Sequence, residues 1–233
     1  MTNGPTIVTQ MLNHVQQWEA TQDRRAIFLN CYTLMTQNMF AALGEGRFQD
    51  PTWVAQLLSR FADHYFAALE AYEQHDPTTP AVWRLAHDAA AQTHLYSAQH
   101  LFLGVNAHIN YDLALTVVEL LGPVWPTLSP EQRQLYQQDF DRVNVIIKET
   151  TDQVQDEVLE RHDRLMAWMD LVSGPLDEWF IGWLISGWRD EVWQRAVAMM
   201  TCADAAAQEA LRLELERVSL VRGRRILLNF AAS

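Results

Sequence analysis

The run His100-Leu101-Phe102-Leu103-Gly104-Val105-Asn106-Ala107-His108-Ile109-Asn110-Tyr111-Asp112-Leu113 sets two histidines, two asparagines, an aspartate and a lone glycine among apolar residues. A helix turns ~100° and rises ~1.5 Å per residue, so His108 and Asp112 share one face about 6 Å apart along the axis. An imidazole and a carboxylate at that spacing suit a hydrogen-bonded acid–base dyad or a shared metal ion. Asn106 and Asn110 repeat the spacing on the opposite face. A helix with two polar sectors and apolar residues between them must meet protein on both sides. Three readings fit: a structural hydrogen-bond network, a metal-free binding or catalytic pocket, and a metal site.

For the pocket, His108 and Asp112 are the catalytic candidates, with His100, Asn106, Asn110 and Tyr111 as ligand-binding candidates. For the metal site, the expected set is His64, His108 and Asp112 around a divalent ion such as zinc. His100 lies about 12 Å along the axis from His108, too far to share an ion, and His94 and His87 are further still. His64 sits among aromatic residues in Phe61-Ala62-Asp63-His64-Tyr65-Phe66, whereas His162 lies in a charged run. Gly104, midway between His100 and His108, costs roughly 1 kcal/mol relative to Ala in a helix, which points to close helix packing, a bend or room for a ligand.

Other signals are weaker. His-Glu-x-x-His, the paired Glu-x-x-His of di-iron bundles, Walker loops, Gly-x-Gly-x-x-Gly and Gly-x-Ser-x-Gly do not occur. Asp152 and Asp156 resemble half of a magnesium-diphosphate site but have no acidic counterpart, and read as a solvated face. Arg222, Arg224 and Arg225 complement a helix end and neighbouring acids, with phosphate binding as the alternative. Trp168, Trp179, Trp183, Trp188 and Trp193 either fill a core or wall an apolar cavity.

The elements that must position these groups are helical. The 233 residues are 49% hydrophobic with a formal net charge of -12. That acidity argues against nucleic-acid binding and against docking on anionic lipid. A small-molecule ligand is the expected partner, and self-association stays open. Cys31 and Cys202 form no disulfide framework, and no signal core is visible, so a cytoplasmic protein is expected. The most membrane-like stretch, Leu171 to Trp188, is broken by Gly174, Pro175, Asp177 and Glu178 and reads as core helix plus turn.

Strand signals are nearly absent. Asp50-Pro51, Thr79-Pro80 and Ser129-Pro130-Glu131-Gln132 read as helix starts. Gly44 to Gly46, Gly122-Pro123 and Gly174-Pro175 read as stops. Together they predict a single all-α domain over residues 1–233, a bundle of long antiparallel helices. Seven or eight helices are expected, near 5–20, 23–43, 51–74, 80–121, 130–172, 175–187, 189–202 and 204–230, give or take ~2–4 residues, with a kink near Gly104. Apolar stripes run through Trp53, Leu57, Phe61, His64, Tyr65, Ala68 and Tyr72, and through Leu135, Phe140, Val143, Ile146 and Ile147.

The segment Gly104-Val105-Asn106-Ala107-His108-Ile109-Asn110-Tyr111-Asp112-Leu113 resembles the signature of a bacterial family of unknown function. Tyr32 with Thr36, Phe48 and Asp50, Phe61-Ala62, Tyr65-Phe66, Ala68-Leu69 and Trp83 also resemble its pattern, over roughly residues 30–115. The resemblance implies a helical fold and no particular activity. His100-x-x-x-Gly104 with His108 is faintly similar to the His-x-x-Gly-Asp segment of all-helical zinc phosphodiesterases, but Val105 stands where their Asp would be. Two function classes result. One is an enzyme acting on a small molecule at His108 and Asp112, hydrolytic if metal-bound, or an isomerase or cyclase if metal-free. The other is a non-catalytic helical module binding an apolar ligand or a partner.

Overall fold

Apolar residues recurring every three to four positions, punctuated by caps and glycines, fold into helices throughout. A computed structural model describes residues 4–158 and 178–229, and no strand occurs among them. The helices are α1 (Gly4–Ala20), α2 (Arg25–Gly44), α3 (Pro51–Glu73), α4 (Ala81–Ala90), α5 (Ser97–Ala107), α6 (Leu113–Leu121), α7 (Pro130–Val158), α8 (Glu178–Thr201) and α9 (Ala205–Asn229). A π-turn, His108–Asp112, joins α5 to α6, so Ser97–Leu121 is one rod; a short 3-10 turn, Trp125–Thr127, follows. The rod packs against α2, α3, α4, α8 and α9.

The expected starts are largely present. The Asp50 carboxylate accepts from Trp53 N–H at 2.9 Å, with Pro51 opening α3. Ser129 and Gln132 form the reciprocal capping box. At Thr79-Pro80 the helix opens one residue later, at Ala81, whose N–H donates to the Glu216 carboxylate of α9 at 2.8 Å.

Four expectations need correction. The segment 80–121 is two helices, broken over 91–96, because buried Gln99 reaches back to Tyr96 N–H and donates to the Ile226 and Leu227 carbonyls of α9. The irregularity near Gly104 is the π-turn four residues later. The cut between 175–187 and 189–202 is absent, since α8 runs unbroken through Gly187, which has open space around it. Leu135 is exposed, although Phe140, Val143 and Ile146 of the same stripe are buried. The expected end near 172 of the helix that starts at 130, the Gly174-Pro175 stop, His162 and Trp168 lie outside the described residues.

Among the described residues the rod Ser97–Leu121 is long and apolar enough by composition to cross a membrane. Of that window 72% is buried among the other helices, as expected of a core helix. Most of Leu171–Trp188 before α8 is outside the described residues.

Gly104 is a close-approach position. A Cβ built there would overlap the Phe28 ring of α2. Gly104→Ala should therefore destabilise the protein by about 2–3 kcal/mol, overpacking outweighing the ~1 kcal/mol gain in helix propensity. Chemical denaturation checks this, and adding Phe28→Leu should restore part of the loss.

Candidate functional site

The π-turn holds the predicted pair. Leu113 N–H donates to the His108 carbonyl, five residues back, which opens the ladder by one residue. The cause lies on α9: the Ser219 hydroxyl sits 3.1 Å from the Asn110 carbonyl and 2.8 Å from that of Leu215. A side chain pressed into the ladder is a known source of such irregularity.

His108 Nδ1 and Asp112 Oδ2 are 3.1 Å apart. The Trp83 indole N–H of α4 donates to both carboxylate oxygens, at 3.0 and 2.9 Å. The imidazole stacks on Phe61 of α3 (centroids 3.5 Å apart, 8° between planes) and meets the Tyr32 ring edge-on at 4.2 Å. Phe28, Tyr65 and Trp83 complete an aromatic enclosure. His108 and Asp112 are 2% and 1% exposed. Burial drives His108 well below, and Asp112 well above, their ordinary ranges, while the Trp83 hydrogen bond pulls Asp112 back down. His108 is thus kept neutral, and its Nε2 has no hydrogen-bond partner.

The other predicted residues go elsewhere. Asn106 donates to the Ser219 carbonyl at 2.9 Å, and Asn110 donates to Asn106 Oδ1 at 3.1 Å. Arg222 donates to Asn110 Oδ1 at 2.6 Å while holding Glu191 and lying over Trp188. Both asparagines are buried and engaged, so they clamp the rod to α9 and leave little for a ligand. Gly223 allows this approach: a Cβ there would crowd Leu85 and Asn106. Tyr111 is buried on the side of Arg212 and Glu216, away from the dyad. His100 lines a separate hollow with His87 and Trp83.

The metal set does not assemble. His64 Nε2 faces Glu119 at 3.3 Å, the Asp112 oxygens are taken by Trp83 and His108, and among the described residues no three His, Cys, Asp or Glu side chains are placed to hold an ion. Trp188 and Trp193 are buried, the latter against Trp125 and Phe140, as core residues; the side chains of Trp179 and Trp183 lie outside the description. Arg222 serves the Asn110 clamp and not a phosphate site. Sequence reasoning gave no chemical role to Trp83, Tyr32 or Phe61, although all three belong to the pattern that carries the family resemblance.

The fold and site define an all-α protein with a buried His–Asp pair in a π-turn. The chain belongs to DUF5995, a family of unknown function, with the match spanning residues 5–229. Neither a curated protein nor a solved structure matches it significantly.

Proposed function

We propose that this protein is a metal-free acid–base enzyme acting on a small molecule, with His108 Nε2 as the group that exchanges the proton. With Asp112 ionised, Nδ1–H donates to Oδ2 and Nε2 offers a bare lone pair. A proton taken from substrate at Nε2 is balanced by transfer of the Nδ1 proton to Asp112, so no imidazolium forms in the apolar enclosure. Asp112 raised and His108 lowered are the conditions that favour this exchange.

The observation that carries the reading is the unpartnered Nε2. Leaving a buried polar atom unpaired costs ~1–3 kcal/mol with no packing return, and π-turns are frequent at functional sites. Tyr32, the ring against His108, is only partly buried, so solvent is one side chain away. Displacing that ring admits a substrate. With the Asp112 oxygens engaged and no three-ligand set among the described residues, the pair suits an isomerase or cyclase better than a metal-bound hydrolase.

The second reading, a non-catalytic helical module, is favoured by the closed Asn106–Asn110–Ser219–Arg222 clamp. The ring-nitrogen NMR spectrum separates the two. Nδ1–H with a bare Nε2 at neutral pH supports the base; a proton fixed on Nε2 sinks it. His108→Asn keeps a donor to Asp112 and deletes Nε2. Its stability should fall by about 1–2 kcal/mol, while the thermal shifts that small-molecule ligands give the wild type vanish.

A further inference from the structure

A polar hollow shares Phe28, Tyr65 and Trp83 with the His108 enclosure. Arg24, Phe28, Trp83, His87, His100 and Gly104 line it, and its volume is about 20 Å³. That is room for one water-sized group. His87 and His100 are each 5% exposed. His87 Nε2 and both nitrogens of His100 have no partner with hydrogen-bond geometry, although the Leu95 backbone approaches His100.

The surrounding charge is positive on balance. Arg24 and His94 face His100. Arg25 and Asp23 face His87, and Arg25 is already held by Asp23 and Glu73. Arg24 makes no ion pair among the described residues. Inside a low-dielectric wall an uncompensated guanidinium favours an anion over a water. One nitrogen of each ring supplies a donor once it carries a proton.

We propose that this hollow is a binding site for one halide-sized monovalent anion, held by His87, His100 and Arg24. The inference goes beyond the acid–base reading, because it uses neither His108 nor Asp112. Burial, helped by Arg25 beside His87 and by Arg24 beside His100, brings His87 down to about 3 and His100 to about 4. An anion reverses that tendency by drawing protons onto the rings, so its affinity rises as pH falls.

Chloride is the probe, with gluconate, too large to enter, as the ionic-strength control. At about pH 6, exchanging gluconate for chloride should raise Tm by about 3–6 °C, and at about pH 8 by less than half of that. The His87 and His100 ring resonances should move saturably with chloride. Arg24→Gln removes the half-buried cation, and His100→Phe fills the hollow; each should abolish the chloride effect. His108→Asn should keep it. Equal Tm in the two salts at both pH values overturns the site. So does a chloride effect that survives both Arg24→Gln and His100→Phe, or one that disappears in His108→Asn.

Discussion

Replacing Asp112 with Ala should cost about 3–5 kcal/mol of stability and lower Tm by roughly 10 °C. The carboxylate is the acceptor for the Trp83 indole N–H and for His108 Nδ1, and both donors are sealed from water. Alanine strands both and leaves a cavity where the carboxylate stood. Asp112→Asn isolates the electronic effect. Its Oδ1 still accepts from Trp83, and its amide donates to His108 Nδ1, which forces the proton onto Nε2. That variant should stay within about 2 kcal/mol of wild type yet have no base at Nε2. Denaturation curves and the His108 ring-nitrogen spectrum read the two effects separately. An Asp112→Ala protein within about 1 kcal/mol of wild type would mean that Trp83 and His108 find other partners, and that the dyad is not held as described.

The pairing of His108 with Asp112 was legible because it is local: four residues on a helix bring the two groups together whatever surrounds them. The all-α class was legible for the same kind of reason, through Asp50-Pro51 and the Ser129–Gln132 box. What escaped sequence reasoning is set by partners far away in the chain. The π-turn depends on Ser219, 109 residues after Asn110. The break before Ser97 depends on carbonyls of α9 that Gln99 reaches across more than 120 residues of sequence. The i,i+4 spacing of Asn106 and Asn110 suited either a ligand or a neighbouring helix, and nothing local reveals that Ser219 and Arg222 are the partners. Trp83 was hidden too, because an indole inside an amphipathic helix reads as core until its N–H is seen on a carboxylate.

Acid should destabilise this fold well before its exposed carboxylates titrate. His87, His100 and His108 are buried and neutral, with native pKa values lowered from 6.5. The unfolded chain protonates all three as pH falls through about 6.5, whereas the native state takes up almost nothing until His100 titrates near 4 and His87 near 3. Protons bound by the unfolded state alone make stability fall with falling pH, so the loss begins near 6.5 and is complete only below the native values. Asp112, ionised at neutral pH, acts in the opposite sense as pH falls, because its raised pKa lets the native state take up a proton while the unfolded carboxylate is still ionised. His87 alone then accounts for a loss of about 1–2 kcal/mol between about pH 7 and 5, with His100 and His108 adding to it and Asp112 opposing it. Denaturant midpoints across that range check it. His87→Phe preserves the stack on Trp83 and removes one titrating ring, so it should flatten the slope by about 1 kcal/mol per pH unit. A pH-independent midpoint above about 5 would require these rings to protonate in the native state, which the aromatic enclosure around His108 and the sealed stack of His87 on Trp83 oppose.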